Sequence, residues 1–95
     1  MNLADLFAQG ESLEVVLPED PVAYWDLEVA TSDLFWHQHR NLMLECAHYI
    51  TGLPGVTDVP YDGGEVIQVC GSIAADELQA RVLQWWDVAL ARGDS

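Results

Sequence analysis

Lysine is missing from this chain altogether, and arginine occurs only at Arg40, Arg81 and Arg92. Against these three cations stand 16 Asp and Glu, giving a formal net charge of −13 and a pI near 4.1. So few cations argue against direct binding to nucleic acid or to an anionic membrane, because both need phosphate neutralised by basic side chains. They also leave little to hold a phosphate ligand or an oxyanion. No apolar run reaches the ~18 residues that a membrane helix needs. Cysteine is scarce as well: Cys46 and Cys70 are expected to be free thiols in a reducing compartment. The opening Met-Asn-Leu-Ala-Asp lacks the basic region of a signal peptide, so the expected location is cytoplasmic.

Catalytic signatures are equally sparse. There is no glycine-rich phosphate loop and no Gly-x-Ser-x-Gly; Asp62-Gly63-Gly64 is explained by a tight turn. His37, His39, Cys46 and His48 have the spelling of metal ligands but fall on one helix. Residues two apart on a helix point about 200° from each other, and His39 and Cys46 would sit ~10 Å apart along the axis. Zinc needs its ligands within ~2.3 Å of one point. No Cys–His nucleophile pair fits helical spacing either, which leaves Cys70 meeting His39 across a sheet–helix interface as the one arrangement to check. The expectation is no metal, no cofactor, no catalytic residue and no enzymatic activity.

What is abundant is apolar surface. Hydrophobic residues make up 51% of the 95 residues, with four tryptophans, enough for one domain over residues 1–95 with a real core. Asn2 can cap a short helix to Gln9, with residues 1–10 either docked or a tail. Leu13, Val15 and Leu17 alternate with Glu14, as a half-buried strand does. Pro18-Glu19-Asp20-Pro21 marks a four-residue loop, and Val22 to Ala30 alternates again, with Ala23, Trp25, Leu27 and Val29 inward. From Thr31, Ser32 and Asp33 to a left-handed stop at Gly52, the pattern predicts one long helix; its stripe includes Phe35, His39, Leu42, Met43, Cys46 and Ile50. A second hairpin follows, Val56 to Pro60 and Glu65 to Cys70. A last helix carries Leu78, Val82, Trp85 and Ala89 inward, flanked by Trp86, and stops at Gly93.

The order predicts an α+β fold of ββαββα plan. Its four-stranded, mainly antiparallel sheet carries two helices on one face and a short N-terminal helix; a ferredoxin-like arrangement is the alternative. On this plan Glu14, Asp26 and Glu28 project from the open face of the first hairpin beside Tyr24, and Glu19 and Asp20 cap its turn. Carboxylates two apart on a strand are ~6.6 Å apart, so such a row can imitate a nucleic-acid backbone. A basic groove evolved for phosphates would accept it by charge attraction. The competing reading is that the acidity only serves solubility.

The expected function is therefore a non-enzymatic acidic protein that binds a basic, nucleic-acid-binding surface of a partner protein. The candidate contact residues are Glu14, Glu19, Asp20, Tyr24, Asp26, Glu28, Trp36 and Trp86. In size and charge, though not in motif, it resembles phage inhibitors of restriction or CRISPR systems and immunity proteins that neutralise nuclease toxins. The alternative is a small structural or regulatory module, a homodimer in one version, acting through apolar contacts at Trp36, Trp85 or Trp86.

Overall fold

Alternation of apolar residues and a few local caps build the elements of this chain. A computed structural model describes residues 2–92. The short helix α1, Leu3–Ala8, is held by a capping box: Asn2 Oδ1 accepts from Asp5 N–H at 2.9 Å, and Asn2 N–H donates to Asp5 Oδ2 at 3.3 Å. It docks through buried Leu3 and Leu6, and Leu3 N–H donates to Asp87 Oδ1 of the last helix at 3.4 Å.

Strands β1 (Leu13–Val16), β2 (Leu27–Thr31), β3 (Val56–Asp58) and β4 (Val66–Gly71) form one four-stranded sheet in the order β1-β2-β4-β3. Every neighbouring pair is antiparallel. The chain follows the ββαββα plan and not the βαββαβ order of a ferredoxin-like fold. Leu13, Leu27, Val29, Ile67 and Val69 are buried beneath the helices, and the residues between them on each strand face the other way.

The expected central rod is two helices, α2 (Asp33–Gln38) and α3 (Arg40–Thr51). The break is His39, whose φ −128 and ψ 38 are not helical. The two parts answer to different neighbours. Trp36 Nε1–H in α2 donates to Gly63 O in the β3–β4 connection at 2.8 Å, whereas α3 packs along α4, Ala75–Ala91. The bend lets Phe35 and His39 both reach Trp86, with ring centroids 4.9 Å and 6.0 Å away. Ser32 stands at the N-cap of α2 without a side-chain cap bond; its hydroxyl donates to Glu11 Oε1 and accepts from Ser12 N–H at 3.0 Å, tying β1 to β2.

Other expectations are corrected similarly. Gly52 is right-handed, at φ −88 and ψ 0, and the left-handed turn comes at Gly55, φ +90. On α4 the buried residues are Leu78, Val82, Trp86, Ala89 and Leu90, so Trp86 takes the inner position expected of Trp85. Trp85 lies half-buried and stacks on Tyr49 of α3. The expected stop at Gly93 lies outside the described residues.

The largest correction concerns the second strand. Its ladder begins at Leu27, and residues 17–26 form a long connection in place of a four-residue loop. Pro18 and Pro21 withhold two ladder donors, and Asp20 folds the chain back by accepting from Val22 N–H at 3.0 Å and, through its carbonyl, from Ala23 N–H at 3.1 Å. Leu17, expected inward, is therefore 71% exposed.

Candidate functional site

The face of the sheet turned away from the helices carries the residues between the core positions. Glu14 stands opposite Ala30, Val16 opposite Glu28, Glu28 opposite Gln68, Ala30 opposite Val66 and Asp58 opposite Cys70. Directly opposed side chains share a face. Glu14, Glu28 and Asp58 thus lie on one surface with Val16, Ala30, Val66, Gln68 and Cys70. Asp26 joins them one step beyond β2, where its backbone N–H still bonds Val69 O at 2.9 Å.

The connection folds across one end of this face. Trp25 Nε1–H donates to Glu28 Oε2 at 2.7 Å, so the indole lies on the open side and not inward as its alternation suggests. Cys70 Sγ approaches Tyr24 O at 3.9 Å, and Gly71 N–H donates to Asp26 Oδ2 at 2.8 Å. Tyr24 meets Trp25 edge-on, with ring centroids 5.0 Å apart, and its own ring is exposed. Glu19 and Asp20 are exposed at the fold of the connection.

Of the expected contact residues, the structure thus gathers Glu14, Asp26, Glu28 and Tyr24 on the open face and puts Glu19 and Asp20 on the connection that folds over it. The two tryptophans go elsewhere. Trp86 is fully buried, the largest side chain of the core, and cannot present a surface anchor. Trp36 is half-buried on α2 and braced by Gly63 O and by Arg40, whose guanidinium carbon lies 4.9 Å from the ring centroid. Asp58, Leu17 and Val22 join the site without having been singled out. Asp58 could have been found only with the β3–β4 register in hand, and the other two only with the end of β1 known.

No arginine occupies this surface. Arg40 begins α3, Arg81 lies in α4 and Arg92 follows it. Among the described residues one ion pair forms, Arg81 with Glu77 at 3.4 Å, on the exposed side of α4.

The thiol and imidazole arrangement left open by the sequence does not assemble. Cys70 lies on the open face, and His39 lies in the core beside Phe35 and Trp86. Partial burial raises the Cys70 thiol, and Asp58 and Asp26 raise it further, so it holds its proton at neutral pH. Burial pushes the Cys46 thiol up to about 12. Among the described residues no group of three or more His, Cys, Asp or Glu could hold a metal ion. What remains is a negative sheet face with aromatic rings at one end, and no protein-family model, curated protein or solved structure matches the chain that bears it.

Proposed function

We propose that this protein is an acidic binding module that occupies a basic, nucleic-acid-binding surface of a partner protein. One observation carries the reading. Glu14, Asp26, Glu28 and Asp58 share the open sheet face, Glu19 and Asp20 stand on its connection, and all three arginines lie on or beside the helices. A face with one sign of charge steers an oppositely charged partner and repels nucleic acid itself. The aromatic rings of Tyr24 and Trp25 stand at one end of the carboxylates, where they can take the place of a base beside phosphates. In this reading the protein competes with nucleic acid for its partner, as a phage inhibitor of a nucleic-acid-processing system or an immunity protein does.

Glu14 and Glu19 are the clean positions for a test. Asp26 and Glu28 each accept an internal hydrogen bond, so reversing them disturbs the connection as well as the field. The measurement is fluorescence anisotropy with a labelled arginine-rich peptide at low and high salt. The Glu14→Lys/Glu19→Lys pair is expected to weaken binding at least about tenfold at low salt, roughly 1.4 kcal/mol, and to flatten its salt dependence. Unchanged affinity in that variant would overturn the reading.

A second reading draws on the groove between α3 and α4. Leu44 and Val88 are exposed large apolar residues on those helices, and Leu44, His48, Tyr49, Trp85 and Arg92 line a cleft of about 550 Å³. A salt-insensitive homodimer seen in sedimentation, with Trp85 fluorescence shielded on dimerisation, would favour a structural module over the acidic binder.

A further inference from the structure

The three most exposed large apolar residues of the described chain are Val22 at 83%, Leu17 at 71% and Tyr24 at 69%, and all three belong to the one connection between β1 and β2. A floppy loop could fold such side chains away, but from Asp20 onward this loop is held. Pro18 and Pro21 restrict φ. Asp20 clamps Val22 and Ala23, Trp25 is bonded to Glu28, and Asp26 accepts from Gly71 N–H at 2.8 Å. Val22 and Tyr24 are therefore presented in a fixed arrangement before any partner arrives, which lowers the ordering cost of binding.

Their surroundings decide what can cover them. Glu19, Asp20, Asp26 and Glu28 come from the same connection or the strand it enters, and the connection and the sheet carry no cation. A lipid surface of anionic character and a nucleic acid are both repelled by that rim, and a second copy would bring the same charge to it. We propose that Val22 and Tyr24 of this connection insert into an apolar notch flanked by arginines or lysines on a partner protein, so that the carboxylates orient the complex and the apolar side chains anchor it. Apolar and aromatic anchors inside a polar rim are the usual carriers of binding energy at such interfaces. This rests on the proposed binding of a basic surface and adds to it the kind of pocket that surface must contain.

Two synthetic peptides of equal length and charge separate the two ideas. One spaces its arginines with serine, the other with leucine and phenylalanine. Titrations by fluorescence anisotropy at about 0.3 M salt, where the Debye length is near 6 Å, suppress the long-range attraction and expose the apolar part. The wild-type chain is expected to bind the leucine-phenylalanine peptide at least about tenfold more tightly than the serine peptide. The Val22→Ser/Tyr24→Ser variant changes only exposed side chains. It is expected to lose that preference and to bind the two peptides equally at about 0.3 M salt. Binding of both peptides with no preference, or a preference that survives in the variant, overturns the apolar anchor and leaves the acidic face standing. Failure to bind either peptide at low salt overturns the acidic face and the anchor together.

Discussion

His39 carries an uncommon burden for one side chain. It interrupts the helix between α2 and α3, it is buried, and its Nε2 has no hydrogen-bond partner. Phe35 and Trp86 pack against the ring with centroids 5.4 Å and 6.0 Å away, and the Trp86 Nε1–H is likewise without a partner. Burial lowers the imidazole pKa from its ordinary 6.5, because the charged form would lose its hydration. Since the folded value lies below the unfolded one, the unfolded chain binds the proton more readily. The stability tied to neutral His39 is then whole above pH 6.5 and drains as the pH falls through 6.5 toward the folded value. In urea unfolding, the wild type is expected to lose stability relative to His39→Leu between pH 7.5 and pH 5.5. The variant removes an unsatisfied buried nitrogen, so it should also match or exceed the wild type at pH 5.5. An identical pH dependence in both proteins would remove this role from His39. The neighbouring tryptophans give a second contrast. Trp86→Ala empties the centre of the core and is expected to cost about 3–5 kcal/mol, whereas Trp85→Ala, at a half-exposed position, should cost well under half of that in the same unfolding experiment.

Among the elements, the turn into β3 and the end of β4 are the tightest junction. Gly71 adopts φ +147, and a Cβ there would collide with Gly55 O and press on Val56 Cα at 2.9 Å. The crowding atoms are backbone from the paired strand, so they cannot swing aside. Gly71→Ala is expected to cost on the order of 3 kcal/mol, seen as a lower urea midpoint with an unchanged slope. Gly63→Ala, at φ +94 but with open space around it, should cost about 1 kcal/mol. A Gly71→Ala protein as stable as wild type would mean that the two strands can separate locally without loss.

Much of this plan was legible because short-range periodicity carries it. Leu13, Val15, Leu27, Val29, Ile67 and Val69 alternate in sequence, and each points toward the helical side of the sheet. The α1 cap at Asn2 was equally readable from local chemistry. The misread features depend on partners far along the chain. The break at His39 follows from Trp86, 47 positions away, and from Gly63, and neither is visible in a helical stripe that continues smoothly through the break. The alternation from Val22 to Trp25 imitates a strand, but Asp26, Gly71 and Cys70 hold that segment over the open face instead. Adjacent Trp85 and Trp86 differ by only about 100° around the helix, and the position of α3 decides which one turns inward. The acidic surface was half legible for the same reason: Glu14 and Glu28 follow from alternation, and Asp58 joins them only through the β3–β4 pairing.

At the scale of the whole molecule, a net charge of −13 on 95 residues opposes its own folding. The described residues offset little of it, since Arg81–Glu77 is an exposed pair and such pairs contribute about 1 kcal/mol at most. Sodium chloride should therefore stabilise the protein. Between about 0.01 M and 1 M the Debye length falls from about 30 Å to about 3 Å, and the midpoint of thermal unfolding is expected to rise by several degrees. This effect alone does not distinguish acidity kept for a partner from acidity kept for solubility, because repulsion acts over the whole surface. The distinction comes from comparing two neutralised variants that remove the same charge from different sides. Glu14→Gln/Glu19→Gln takes it from the sheet side, and Glu45→Gln/Asp87→Asn takes it from exposed positions on α3 and α4. Asp87 also accepts from Leu3 N–H at 3.4 Å, and Asn keeps a carbonyl oxygen that can accept the same bond. Both pairs should raise the low-salt unfolding midpoint above wild type. Only the sheet-side pair should weaken the arginine-rich peptide. Equal weakening by both pairs would mean that the peptide senses total charge and that the open face is not a distinct binding surface.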